Sequence, residues 1–171
     1  MSETKILPID TFIEYTLYNN HSGYYSTKNP FGKSGDFITA PGISFLFSEM
    51  IAIWTISFWE SLGRPKKFNI VELGPGDGKL CNILIKTFKK FPNFYKAVNI
   101  FLYEKSKFLK DIQKNSLDEK NVCWIDNFKK IKDGPILFLG NEFFDSIPIK
   151  QFEKKNNKIY EKYLKLRDNF P

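Results

Sequence analysis

The sequence predicts an α/β fold in which a parallel sheet is covered by helices on both faces. Three observations lead there. Short apolar β-type runs recur at Phe68–Leu73, 100–103, 122–125 and Ile136–Leu139; stretches with helical patterning separate the earlier ones; and a glycine cluster closes the first run immediately before a helix. Strands joined by crossover helices form βαβ units, and parallel strands buried on both sides read as continuous apolar runs. With 171 residues, of which 42% are hydrophobic, the chain has enough apolar side chain for one core.

Taken in order, Asp10 is placed to cap a first helix that runs to about Tyr18, and Asn19, Asn20, Ser22 and Gly23 break it. Residues 24–42 form a loop rich in Gly and Pro. The longest apolar stretch, 43–59, is interrupted by Glu49, and Ser44, Ser48, Ala52 and Thr55 recur every three or four residues along one narrow face. That spacing predicts an amphipathic helix with a wide buried face rather than a membrane span. Gly63, Arg64 and Pro65 end it. The strand at Phe68–Leu73 is followed by a helix over 79–91, apolar at Leu80, Ile83, Leu84 and Phe88, and a further helix is expected near 107–115. Residues 149–166 alternate weakly around Asn156-Asn157, which suits either a hairpin turn or an irregular tail.

Composition narrows the function. The formal charge of +7 is almost all lysine, since Arg64 and Arg167 are the only arginines, and the lysines are scattered. Nucleic-acid sites concentrate charge and lean on arginine, so no nucleic-acid partner is expected. Cys81 and Cys123 lack any CxxC spacing, which argues against a metal site or disulfide framework; as two reduced core thiols they suggest a cytoplasmic protein. Residues 1–7 contain no apolar core of a secretory signal.

The sharpest motif is Val71-Glu72-Leu73-Gly74-Pro75-Gly76-Asp77-Gly78, between a strand and a helix. Glycines there permit positive φ and remove Cβ atoms from the path of a ligand. A dinucleotide fingerprint spaces its glycines GxGxxG, whereas this loop reads GxGxG. A phosphate-binding P-loop is also excluded, because Leu73 stands at the first-glycine position before Gly78-Lys79 and Leu80 follows; for Gly32-Lys33-Ser34 that position is Thr27. Glu72 would repel a phosphate but suits the cationic end of an amino-acid-bearing cofactor. Glu104, closing the second strand, is placed to accept hydrogen bonds from ribose hydroxyls or to cap a helix; Asp126, closing the third, is placed to meet an adenine amino group or to cap the next helix. All lie at carboxyl ends of strands, where open α/β sheets bind ligands.

Glu72 to Gly78 with Glu104 and Asp126 resembles the class I S-adenosylmethionine-dependent methyltransferase pattern. Three further stretches are similar to the MidA family: Gly23-Tyr24-Tyr25 with Gly35-Asp36-Phe37-Ile38-Thr39-Ala40-Pro41; Glu104-Lys105-Ser106 with Leu109 and Gln113; and Asn141-Glu142-Phe143-Phe144-Asp145-Ser146-Ile147-Pro148. The match covers nearly all of the chain from Ile9 to Phe152. The resemblance implies a Rossmann-like class I sheet and S-adenosyl-L-methionine as cofactor. By similarity, Gly74, Gly76 and Gly78 line the methionine portion, Glu72 lies beside it, Glu104 holds the ribose and Asp126 lies near adenine. Asp36 and Thr39 close over the same cleft, and Asn141, Glu142 and Asp145 face the substrate. It further implies a protein methyltransferase, arginine-directed and related to respiratory complex I assembly, with a complex I subunit as substrate.

The sequence departs from the family at Gly42, where Glu is usual, and at Phe45 and Ser48, which replace Gln and Gly. Relatives also continue for roughly as many residues again. Class I sheets have seven strands and this chain supplies four with a further hairpin, so the sheet is expected to be truncated after the fourth or fifth strand, leaving an exposed edge. Residues 1–66 are then an amino-terminal helical and loop segment and 67–171 an incomplete cofactor-binding core. A separately encoded carboxyl-terminal half would complete it; the alternative is a non-catalytic remnant or interaction module.

Overall fold

The computed structural model describes residues 5–32, 35–117 and 122–166. Lys33 and Ser34 of the rejected P-loop, the chain start and Arg167 lie outside the described residues. The chain divides into two compact units, Met1–Thr27 with Phe144–Pro171, and Lys28–Phe143.

In the first unit β1 (Lys5–Pro8) pairs antiparallel with β8 (Tyr163–Leu166), α1 spans Ile9–Tyr18 and α2 Tyr24–Thr27. Asp10 does not cap α1. Pro8, fixed in an extended conformation, stands at the cap position, and Asp10 falls in the first turn, where its carboxylate accepts from the Thr11 amide at 3.0 Å and favours the positive end of the helix dipole. Strands β6 (Phe152–Lys155) and β7 (Lys158–Glu161) form an antiparallel hairpin. Its turn is Asn156-Asn157, both with positive φ, so the hairpin reading of that dipeptide holds over the irregular one. Lys150 Nζ meets Glu161 at 2.6 Å and Asp10 at 3.6 Å.

The second unit holds α3 (Ala40–Ile43), α4 (Phe45–Ser61), β2 (Phe68–Leu73), α5 (Lys79–Phe88), α6 (Pro92–Ala97), β3 (Val98–Tyr103), α7 (Lys107–Ser116), β4 (Val122–Trp124) and β5 (Ile136–Leu139). The four strands form one sheet in the order β4-β3-β2-β5, with every neighbouring pair parallel. β2 lies at its centre and is the most completely buried strand, and the glycine cluster therefore opens at the carboxyl edge of the middle of the sheet.

Helical cover is uneven. Residues of one sheet face, Phe68, Ile70, Val98, Ile100 and Leu102, join side chains of α4, α5 and α6 in a single buried cluster, with Trp124, Leu137 and Leu139 packed against it. Alternation along each strand sends the next residues to the opposite face. There Ile136 is 42% and Phe138 49% exposed, and Cys123 is exposed too, so it is not the core thiol expected of it. Cys81 is buried. The helices that would cover the second face are not among the described elements of this unit.

Helix α4 reverses the expected orientation. Ser48, Ala52 and Thr55, the narrow small-residue face, are turned inward and fully buried, together with Ile56 and Trp59. Phe45, Leu46, Met50, Ile53 and Trp54 are exposed instead. Small side chains let the α4 backbone approach the core closely, whereas the bulky residues would hold it away. Thr55 satisfies its hydroxyl by donating to the Ile51 carbonyl at 2.8 Å, but the Ser48 hydroxyl has no partner among the described residues. Ser48→Ala is therefore expected to stabilise the fold by about 1 kcal/mol, because a buried unsatisfied hydroxyl is lost and helix propensity improves. Urea unfolding measures it; a loss of stability would mean that this hydroxyl is satisfied. No helix among the described residues is long and apolar enough to cross a membrane.

Candidate functional site

The glycine turn connects β2 to α5. Gly74, Gly76 and Gly78 all have positive φ, at 62°, 57° and 81°, a region that side chains other than glycine enter only with strain. The Gly74 amide donates to the Tyr103 carbonyl at 2.9 Å and so ties the turn to the end of β3; the Gly78 amide donates to Pro75 at 2.8 Å, and Gly78 caps α5. The space in front of the turn is not open. A Cβ on Gly74 would come 2.8 Å from the Phe143 ring, and one on Gly76 would come 3.1 Å from the Phe31 ring. Two aromatic rings, neither given a role by the sequence reading, thus lie on the glycines.

Glu72 projects from β2 just before this turn. It is only 3% exposed, and its Oε2 has no hydrogen-bond partner among the described residues. Burial, reinforced by the nearby Asp77 and Glu104 carboxylates, raises its pKa from 4.5 to about 8. A buried acid among acids, with one oxygen unpaired, is costly unless a cation meets it. An acceptor of this kind fits the ammonium of an amino-acid moiety.

Glu104, 7% exposed, closes β3. Its Oε1 accepts from the Ser106 amide at 2.9 Å and its Oε2 from Gln113 Nε2 at 3.2 Å. Burial raises its pKa, while these hydrogen bonds and the Lys110 charge oppose the rise. The Lys105 amide also donates to this carboxylate, which leaves one of its lone-pair positions to accept from a ribose hydroxyl. Ser106 is the actual cap of α7, through a hydrogen bond from the Leu109 amide at 3.1 Å to its hydroxyl.

The other expected residues are less closely gathered. Asp126 is exposed and paired with Lys110 at 3.0 Å and Lys130 at 3.9 Å, and these lysines, Lys110 first, lower its pKa. Asp36 pairs with Lys28 on the loop that also carries Phe31. That loop is closed on itself by an isolated bridge between Phe31 and Phe37. Its glycines Gly32 and Gly42 both face Lys79 Nζ, so the loop containing Asp36 and Thr39 runs beside the start of α5. Thr39 stands at the amino end of α3 without a side-chain cap bond. Asn141 is half-buried and Glu142 is exposed with a positive φ of 57°, a strained backbone of the kind that functional turns retain. Asp145, exposed, falls in the first unit.

Residues missed by sequence reasoning are Asp77, Phe31, Phe143, Trp124 and Lys110. Asp77 was legible as chemistry, being an acid inside the motif itself; the aromatic rings were not, because their partners are glycines far along the chain. A separate hollow of about 200 Å³ beside Trp59 and Phe94 belongs to the helical layer and not to this site. Among the described residues no group of three or more His, Cys, Asp or Glu is placed to hold a metal ion.

Comparison with known proteins follows the same lines. The sequence model of a family of S-adenosyl-L-methionine-dependent methyltransferases matches residues 50–170. The chain is 31% identical over 178 residues to the mitochondrial protein arginine methyltransferase NDUFAF7 of Xenopus laevis, covering 90% of this chain and 41% of that protein. It is 35% identical to the Caenorhabditis elegans homologue, covering 91% and 41%, and 29% identical to the human protein, covering 90% and 40%. The chain thus spans about two fifths of the length of these relatives. A solved COG1565 superfamily member from Burkholderia thailandensis, bound to S-adenosyl-homocysteine, superposes with a TM-score of 0.75 at 23% identity, over 96% of this chain and 46% of that one. The relatives are mitochondrial, which overturns the cytoplasmic expectation drawn from the two cysteines. Free thiols report a reducing environment and cannot tell one reducing compartment from another.

Proposed function

The chain belongs to the S-adenosyl-L-methionine-dependent methyltransferase family whose model matches residues 50–170, and on that premise we propose that it binds S-adenosylmethionine and serves in methylating a protein arginine during respiratory complex I assembly. The observation that carries the reading is the buried Glu72 carboxyl, whose Oε2 has no hydrogen-bond partner among the described residues, beside three positive-φ glycines. When bound, the cofactor supplies an activated methyl group. Glu72 and the turn Gly74, Gly76 and Gly78 hold its methionine end, Glu104 its ribose and Asp126 its adenine edge, while Asp36 and Thr39 flank the cleft. Transfer of a methyl group is a displacement in which positioning supplies most of the gain, about 7 to 11 kcal/mol for well-oriented pairs. The acceptor guanidinium is permanently charged, so the carboxylates of Glu142 and Asp145 act by orienting it and taking up the released proton, while Asn141 presents its amide to the substrate. Isothermal titration of the folded protein with S-adenosylhomocysteine is expected to show saturable binding, and its absence would refute the cofactor site. Binding without transfer to arginine peptides would instead favour a non-catalytic remnant.

The partner reading follows from the sheet. β5 is an edge strand with one neighbour, and the face carrying Ile136 and Phe138 is partly bare; parallel sheets are ordinarily covered on both faces. Relatives have more than twice the length of this chain. Polypeptide corresponding to the rest of the relatives pairs with β5 and covers that face in the working protein. Prepared alone, the 171-residue chain is expected to self-associate with rising concentration in light scattering after gel filtration, and polypeptide corresponding to the rest of the relatives is expected to suppress this. A strictly monomeric chain that ignores that polypeptide would remove the proposal.

A further inference from the structure

The side chain of Gln113, fully buried, joins three separate strand-end regions. Its Nε2 donates both to the Gly76 carbonyl at 2.8 Å and to Glu104 Oε2 at 3.2 Å, and its Oε1 accepts from Trp124 Nε1 at 2.8 Å. The first partner belongs to the turn after β2, the second to the end of β3 and the third to β4. Every hydrogen-bonding position of importance is used: both amide hydrogens are committed to the two ligand-facing regions, and the indole holds the carboxamide in the orientation that makes this possible.

We infer that Gln113 is the positioning residue that fixes the Glu104 carboxylate relative to the glycine turn, so that the ribose and the amino-acid end of the cofactor meet groups held at a set separation. This rests on the cofactor reading above and adds to it a residue that touches no ligand. Two features of the chemistry support it. A carboxylate with two rotatable bonds beyond Cβ wanders unless it is anchored; the Ser106 and Lys105 amides tie it to its own strand end, and Gln113, on Oε2, ties it to the glycine turn. The Gly76 carbonyl belongs to a glycine with positive φ, whose peptide plane is free to rotate unless its oxygen is engaged. One amide restrains both. Because helix α7 carries Gln113 and is itself capped by Ser106, next to Glu104, the restraint is built into the element that follows the carboxylate.

The test compares S-adenosylhomocysteine with its 2′-deoxy analogue by calorimetry in the wild type, Gln113→Met and Trp124→Phe. The wild type is expected to prefer the ribose form at least about 10-fold, the cost of leaving a buried acceptor unmet. Gln113→Met should bring the two affinities within about 3-fold while binding the deoxy analogue nearly as well as the wild type does, since the methionine seat remains. Trp124→Phe, which removes only the donor that orients the amide, should reduce the preference partly and keeps the proposal testable if the first variant is poorly folded. A purely packing role for Gln113 would lower the melting temperature and weaken both ligands equally; that result, or a preserved preference in either folded variant, overturns the inference while leaving the cofactor site standing. A wild type that binds neither ligand overturns both.

Discussion

Replacing Glu72 with Gln is expected to make the protein more stable above neutral pH and a much weaker binder of S-adenosylhomocysteine. The carboxyl of Glu72 titrates near pH 8 in the folded protein against 4.5 for an ordinary glutamate, because burial and the Asp77 and Glu104 charges disfavour ionisation. Between those two values the folded state keeps a proton that the unfolded state has released. Stability contributed at this position is therefore intact below about pH 4.5, falls as pH rises through the window and is fully lost above pH 8. At about 1.4 kcal/mol per pH unit the loss is at most roughly 4 to 5 kcal/mol. Glutamine carries no such proton, so its contribution does not change across this window. Urea unfolding should thus show the variant close to the wild type at pH 5 and ahead of it by about 2 kcal/mol or more at pH 8. Over the same comparison, affinity for S-adenosylhomocysteine should fall about 10- to 100-fold, the worth of a charged hydrogen bond lost from a buried site. A stability difference that does not change with pH would show that Glu72 is not a buried neutral acid; an unchanged affinity would show that it does not receive the ligand's cation. A group that costs stability and serves binding is the signature expected of a site rather than of a scaffold.

What was legible in the sequence and what was not follow from range and direction. The β2-turn-α5 unit could be read because strand period, glycine conformational freedom and helix period all act within about twenty residues, and Glu72 and Glu104 could be placed at strand ends because the apolar runs that they close are unmistakable. Helix α4 was found, but its orientation was misread: hydrophobicity says that a face is apolar, not that the bulky apolar side is the one turned inward, and close approach favoured Ser48, Ala52 and Thr55. Cys123 and Phe138 sit on strands that looked uniformly buried and are exposed because their face has little helical cover. The link between Gln113 and the Gly76 carbonyl spans 37 residues and the pairing of β1 with β8 nearly the whole chain, and no local pattern encodes either. Asp126, plausible by position, turned out to be held by lysines at the surface.

Gly76→Val is expected to abolish measurable binding of S-adenosylhomocysteine, and the reason can be divided by a second substitution. At φ of 57° a β-branched residue is strained by its own backbone, and its Cβ would press on the Phe31 ring at 3.1 Å. The single variant therefore mixes three effects: backbone strain, displacement of Phe31 and filling of ligand space. Removing the ring with Phe31→Ala in the same chain relieves the second alone. If Gly76 exists to admit the ligand, the double variant recovers part of its stability, by about 1 kcal/mol or more, yet still binds at least about 100-fold more weakly than Phe31→Ala by itself. If Gly76 is there only to accommodate Phe31, the double variant binds as Phe31→Ala does. Thermal unfolding and calorimetry on the four proteins separate the two cases. Recovery of binding on removal of the ring would mean that the turn is shaped around an aromatic side chain rather than around a cofactor. Persistent loss would show that binding depends on the glycine itself, through its positive φ and the room that a missing Cβ leaves, and not on the ring packed against it.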